Sequence, residues 1–107
     1  MIFLYGMKSE LFAKVMEAVT EVTELREEQI LSKTKTDDLV AARSLFVHHC
    51  IGMGIPSISV AQYLGRTGTH CVGRYLVNYQ SFMKTSYLFR QMDGRIAVAL
   101  KSYREQN

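Results

Sequence analysis

Five side chains that donate hydrogen bonds lie within nine residues of one another: Arg66, Thr67, Thr69, His70 and Arg74. Arginine and histidine donate to guanine edges and to phosphate oxygens, and threonine hydroxyls contact either kind of group. Arg74 follows His70 by four residues, so the two side chains share one face if the segment is helical. These residues predict a site that reads DNA bases, although each one alone is also typical of a solvated surface.

A second group of residues has the chemistry of metal ligands: His48, His49, Cys50, His70 and Cys71. Adjacent side chains of a helix point about 100° apart, and no C-x-x-C or H-x-x-x-H spacing presents a chelating pair on one face. The same geometry argues against a nucleophilic pair of Cys71 and His70, and residues 39–92 hold no carboxylate that would orient the histidine. The glycine-rich motifs of nucleotide-binding enzymes are also missing from the sequence. We therefore expect no metal, no cofactor, no catalytic residues and no enzymatic activity.

Charge is distributed unevenly along the chain. Residues 1–38 carry five basic and eight acidic side chains, whereas residues 39–92 carry five basic side chains and no acidic one. A surface that faces a polyanion requires this pattern, because each carboxylate would repel phosphate. The alternative is that the segment is mostly core and holds few charges of either sign.

The spacing of residues from Pro56 to Tyr79 is typical of a helix-turn-helix. Ala61 allows two helices to approach closely, and Gly65, four residues later, has the backbone freedom that the corner requires. A polar turn over residues 66–68 leads into the second helix. The positions predicted to be buried around this turn are Val60, Leu64, Val72, Leu76 and Tyr79. An ordinary pair of packed core helices requires the same apolar spacing and stays open as an alternative.

The whole chain predicts one all-α domain of five or six helices over residues 1–107, because 48% of its residues are hydrophobic and strand-like alternation is scarce. The predicted boundaries are Ser9 as the first N-cap, Thr23 before a short helix ending at Leu31, Thr36 or Asp37 before a helix ending near Ile51, and Asp93 with Gly94 as a break or N-cap before the last helix. Two cysteines without a secretory signal predict a cytoplasmic protein. Residues 44–65 carry no Lys, Arg, Asp or Glu, but their two histidines, three glycines, Pro56 and Gln62 argue against a membrane span.

The run LSKTK at residues 31–35, followed by DLVAAR at residues 38–43, resembles the basic loop and following helix of the C-terminal DNA-binding domain of the bacterial replication initiator DnaA. A helix-turn-helix comes next in that family, and from Gly54 this chain aligns with it without gaps. The resemblance covers about residues 11–79. At the start of the second helix the family has an aspartate, a histidine and two hydroxyl residues before its valine, whereas this chain has Gly68, Thr69, His70 and Cys71. The initiator's ATPase domain has no counterpart in these 107 residues, so we do not expect a complete initiator.

The resemblance implies roles for matching residues of the second helix and of the basic loop. Thr69 and His70 would contact base edges in the major groove, and Cys71 would contact the DNA backbone or a thymine methyl group. Lys35 would enter the minor groove, and Lys33 of the same loop would lie at the flanking backbone.

The resemblance also implies phosphate contacts by Arg43 and by the backbone amides of Ser57 and Ile58. Asp37 and Asn78 stand where the family commonly has basic residues, which implies weaker and less salt-dependent binding. Together with the charge distribution, these positions predict a protein that binds double-stranded DNA and serves replication or transcription. The alternative is a protein-interaction module that keeps the fold but has lost specific DNA binding, with Phe82 or Tyr87 at its interface. A homodimer, or a replication or regulatory protein as partner, stays open.

Overall fold

The computed structural model describes the backbone of residues 2–106 and the side chains of residues 9–105. Six helices are α1 (Ile2–Thr23), α2 (Glu27–Ile30), α3 (Asp37–Gly52), α4 (Ser57–Tyr63), α5 (His70–Thr85) and α6 (Tyr87–Gln106). No strand occurs between residues 2 and 106, which confirms the predicted all-α fold of five or six helices. The prediction of one domain over residues 1–107 includes Met1 and Asn107, which lie outside the described residues. Within the described part of the chain, every helix is too short or too polar to cross a membrane.

The central helix is α3, which packs against each of the other five helices. Every residue from Ala42 to Val47 is buried. Such all-round burial is typical of a helix enclosed by others, whereas surface helices bury one stripe. Since α5 makes its most extensive packing with α3, the position of α5 is determined by this buried helix.

The first helix begins earlier than its sequence signal predicts. Ser9 lies inside α1, which starts at Ile2, so its prediction as an N-cap is wrong. A serine N-cap requires a break in the preceding chain, and residues 2–8 contain no proline. The helix therefore continues through Ser9, which has no chain break before it that would make it an N-cap.

The predicted cap of the second helix is also wrong. Arg26, and not Thr23, is the N-cap of α2. The hydroxyl of Thr23 donates to the carbonyl of Val19 at 2.7 Å, in the last turn of α1. Glu24 then takes a left-handed conformation with φ of 61°, and this turn, not the threonine, separates the two helices.

The break before the last helix lies seven residues earlier than predicted. Asp93 and Gly94 are inside α6, and α5 ends at Thr85. Ser86 separates the two helices with extended backbone angles, and its Oγ accepts a hydrogen bond from the backbone N–H of Phe89 at 3.1 Å. Ser86 is therefore the N-cap that the sequence interpretation assigned to Asp93.

Candidate nucleic-acid interface

The predicted helix-turn-helix corresponds to α4, a six-residue turn and α5. Val60, Ala61, Leu64 and Val72 are buried, as the spacing predicts, and Leu76 and Tyr79 are partly buried against the same core. Pro56 is the N-cap of α4, one residue before the position expected for a first-turn proline. The apolar spacing therefore located both helices and the side that each one buries.

Gly65 forms the corner by ending α4 in a Schellman motif. Its φ is +75°, a left-handed conformation that residues with a Cβ adopt at a cost. The N–H of Gly65 donates to the carbonyl of Gln62 at 3.0 Å, and the N–H of Arg66 donates to that of Ala61 at 2.9 Å. These two bonds satisfy the last carbonyls of α4 and aim the chain toward α5.

Replacing Gly65 with alanine is expected to lower the free energy of unfolding by about 1–2 kcal/mol, which is the usual cost of a left-handed alanine. A Cβ at Gly65 would meet no atom within 4 Å, so the cost comes from backbone conformation and not from a clash. Gly94 is the matched control, because it lies inside α6 with equally open space and no positive φ. Gly94→Ala is expected to stabilise the protein by about 0.5–1 kcal/mol in the same urea titration. Equal effects of the two substitutions would contradict this account of the corner.

One face of α5 is open to solvent at helical spacing. His70, Gly73, Arg74 and Val77 are all exposed, and they occupy positions i, i+3, i+4 and i+7 of the helix. Gly73 allows another molecule to approach the backbone closely, and the side chain of Val77 is 67% exposed. A valine methyl group in a major groove contacts thymine methyl groups, which are the apolar feature of that groove. Sequence reasoning found His70 and Arg74 but missed Val77, which reads as a core residue until the helix phase is known.

Three basic side chains from separate parts of the chain converge beside this face. Lys35 of the loop before α3, Arg66 of the turn and Arg74 of α5 line a cavity of about 230 Å³, which we call the basic cleft. The other lining residues are Val40, Cys71, Tyr75 and Asn78. No described residue that lines the cleft is acidic. The cleft therefore joins the basic loop to α5, as a surface for phosphate requires.

The remaining predicted DNA contacts are distributed around the cleft. Thr67 and Thr69 are exposed at the turn, and Thr69 is the N-cap of α5. Lys33 is exposed in the basic loop, and Ser57 is exposed at the first residue of α4, but neither lines the cleft. Cys71 is partly buried, and its thiol lies 3.9 Å from the carbonyl oxygen of Gly68. The structure thus brings Lys35, Arg66, Cys71 and Arg74 together and leaves the others at the periphery.

Arg43 does not have the exposure that a phosphate contact requires, and this prediction is corrected. Its side chain is only 1% exposed. Nε donates to the carbonyl of Ile30 at 2.7 Å, and Nη2 donates to those of Ser32 at 2.7 Å and Gln29 at 3.3 Å. A cation here satisfies carbonyls at the C-terminus of α2, where the helix dipole favours positive charge. Arg43 therefore holds the start of the basic loop from inside the protein.

A third side chain with the chemistry of a metal ligand, distant in sequence, lies beside the two adjacent histidines of α3. The rings of His48 and His49 are arranged edge to face with centroids 5.0 Å apart, and Oδ1 of Asp93 in α6 is 2.7 Å from Nε2 of His49. The potential ligand atoms of the three side chains all lie within 4.8 Å of one another. The third ligand comes from a helix that is distant in sequence, which no spacing motif within one segment reveals.

The chain matches no protein-family model, no curated protein and no solved structure. Its function is therefore inferred from the basic cleft, from the exposed face of α5 and from the distribution of charge.

Proposed function

We propose that this protein binds double-stranded DNA, with the exposed face of α5 in the major groove and the basic loop of residues 33–35 at the adjacent backbone or minor groove. The observation that carries the proposal is the convergence of Lys35, Arg66 and Arg74 in an acid-free cleft beside that face. Each of these cations comes from a different element. Their convergence is therefore a property of the fold and not of one basic stretch.

The dimensions of α5 suit this mode of binding. Its 16 residues give a length of about 24 Å, and an α-helix fits the major groove of B-DNA, which is about 12 Å wide. His70 and Arg74 then face base edges, while Arg66 and Lys35 flank the helix at the level of the phosphates. The N-terminal part of the helix is the part that contacts bases in helix-turn-helix proteins.

The resemblance to the DNA-binding domain of the replication initiator supports the same orientation, since that domain combines a basic loop with a helix that corresponds to α5. Two acidic residues weaken the electrostatic attraction, because Asp37 and Asp38 are exposed in the first turn of α3, close in sequence to Lys35. The Thr36 hydroxyl donates to the Asp38 carboxylate and lowers its pKa, so this carboxylate stays charged at neutral pH. We propose moderate affinity, a non-enzymatic regulatory role in replication or transcription, and a cytoplasmic location.

Titration of a labelled duplex at several salt concentrations tests the proposal. If three to four cations displace counterions, the logarithm of the association constant should fall against the logarithm of salt with a slope of roughly −3 to −4. Selection of bound duplexes from a random pool would then identify the preferred sequence. A dissociation constant weaker than about 1 mM at low salt, or affinity that does not depend on salt, would contradict DNA binding.

A protein-interaction module is the second candidate, and a groove between α1, α2 and α4 favours it. This groove has a volume of about 820 Å³, and its apolar floor includes Phe12, Met16 and Tyr63. The aromatic rings of Phe12 and Tyr63 stack with a centroid distance of 4.4 Å. Phe82 and Tyr87, the two residues predicted at such an interface, differ in their exposure to solvent. Phe82 is partly buried against Phe89 at a ring distance of 5.1 Å, whereas Tyr87 is 68% exposed. A protein that shows no salt-dependent affinity for duplex DNA, but loses a partner when the floor of this groove is substituted, would favour this candidate.

A further inference from the structure

Two histidines and an aspartate meet behind α5, on the side away from its exposed face. His48 and His49 lie near the end of α3, and Asp93 lies in α6. The Nε2 atom of His49 is 2.7 Å from Oδ1 of Asp93, and the two side chains are only 11% and 15% exposed. We call these three residues the His–Asp cluster. It is a set of polar groups largely withdrawn from water at the meeting point of two helices.

Tyr79 of α5 orients the cluster from a third helix. Its hydroxyl donates to Oδ1 of Asp93 at 2.9 Å, and its ring stacks on that of His48 with a centroid distance of 3.6 Å. Outer contacts that fix a carboxylate and an imidazole are a regular feature of protein metal sites.

We propose that the His–Asp cluster binds a divalent zinc-like ion, with His48, His49 and Asp93 as protein ligands and water as the fourth. Imidazole and carboxylate ligands suit zinc, and two histidines with one carboxylate form a recognised three-ligand set. Tetrahedral zinc, with bonds of about 2.0–2.1 Å, places its ligand atoms roughly 3.3 Å apart. Nε2 of His49 and Oδ1 of Asp93 are now 2.7 Å apart and must separate by about 0.6 Å. All the ligand atoms lie within 4.8 Å of one another, so no pair has to close by more than about 1.5 Å. Side-chain rotation supplies movements of this size.

The ion would take the place of the hydrogen bond that now joins His49 to Asp93. It would also link α3 directly to α6 and, through Tyr79, to the second half of α5. The site would therefore stabilise the scaffold behind the proposed DNA-reading helix. None of the three ligands lines the basic cleft, so the ion would affect DNA binding only through the position of α5.

Zinc titration of the metal-free protein, followed by calorimetry, tests the proposal. A Cys71→Ser background removes the partly exposed thiol beside His70. We expect one zinc ion per chain and a rise in melting temperature, since an ion bound only by the folded state stabilises it. Cobalt(II) in place of zinc should give the visible absorption of a tetrahedral site without a thiolate band.

Substitutions assign the ligands. His48→Ala and Asp93→Asn should each weaken zinc binding by more than about 10-fold. Asparagine keeps an oxygen for the Tyr79 hydroxyl, and His48→Ala gives an independent result if Asp93→Asn alters the fold seen by circular dichroism. His70→Ala is the control, because His70 is the one histidine outside the cluster and should leave binding unchanged. Absence of binding at about 100 µM zinc, or binding lost with His70→Ala and retained by both cluster variants, would overturn the proposal.

Discussion

Replacing Arg43 with alanine is expected to lower the free energy of unfolding by about 3 kcal/mol or more. The substitution removes three hydrogen bonds to the carbonyls of Gln29, Ile30 and Ser32 and leaves these acceptors without their charged donor. An unsatisfied buried polar group costs about 1–3 kcal/mol, and loss of the packed arginine stem adds to this. Urea denaturation followed by circular dichroism measures the change.

Conservative variants separate the contributions of charge, shape and hydrogen bonding at this position. Arg43→Lys retains a positive charge but not the planar guanidinium group, whose Nε and Nη2 atoms donate to different carbonyls. It should therefore recover only part of the lost stability. Arg43→Met restores apolar volume but no donor and should lie between lysine and alanine. Arg90→Ala is the matched control. Arg90 is exposed and donates to one carbonyl, that of Met83 at 2.8 Å, so its loss should cost less than about 1 kcal/mol.

DNA binding gives a second readout for Arg43. Because Arg43 anchors the residues just before the basic loop, Arg43→Ala should also lower DNA affinity through misplacement of Lys35. The salt slope should change by less than the loss of a direct phosphate contact, which is about one unit. A variant with unchanged stability whose slope falls by one unit would instead restore the phosphate-contact role that the resemblance implied.

The helices α4 and α5 and the turn between them could be predicted from sequence because their determinants are local. Ala61 and Gly65 are four residues apart, and the buried positions around them follow one helical period. Gly65 needs its positive φ to make the corner, and glycine is the residue type that adopts it readily. The presence and the boundaries of helices beside such a glycine therefore depend little on long-range contacts.

The role of Arg43 could not be predicted in the same way. A basic residue in an acid-free segment suggests an exposed cation, and nothing local indicates that the side chain turns inward to carbonyls 11–14 residues earlier. The same limit applies to Asp93, which reads as a helix break next to glycine. Its carboxylate instead accepts hydrogen bonds from two other helices, and His49, one of the partners, is 44 residues away. Tertiary hydrogen bonding overrode the local signal in both cases.

The basic cleft was predictable only in part, since the sequence provides its cations but not their convergence. Lys35, Arg66 and Arg74 are spread over 40 residues, and only the packing of α3 against α5 brings them together. Asn78 and Val77 lie one turn beyond Arg74, and their exposure depends on helix phase. The DNA-binding hypothesis therefore needs a test that treats the cleft as a unit.

The double variant Arg66→Ala with Arg74→Ala is expected to lower affinity for duplex DNA on the order of 100-fold at low salt. Each lost contact of arginine to phosphate or base costs about 1–3 kcal/mol, and each lost phosphate contact reduces the steepness of the salt slope by about one unit. Both side chains lie at the protein surface, with Arg74 exposed and Arg66 partly exposed, so the free energy of unfolding should change by less than about 1 kcal/mol. Fluorescence anisotropy at four or more salt concentrations gives the affinity and the slope together.

A control with the same change in net charge distinguishes a specific cleft from general attraction between a basic protein and DNA. Lys101 and Arg104 are exposed on α6 and do not line the cleft, so the double variant Lys101→Ala with Arg104→Ala removes two positive charges elsewhere. We expect it to reduce affinity by less than about threefold at roughly 0.1–0.15 M salt, where the Debye length is about 8–10 Å and more distant exposed charges are screened. If both double variants lose affinity equally, DNA binding does not involve the cleft. If only the cleft variant loses affinity, then His70→Ala, which removes a donor proposed to contact bases, should alter the selected sequence more than it alters the salt slope, since base contacts specify whereas phosphate contacts position.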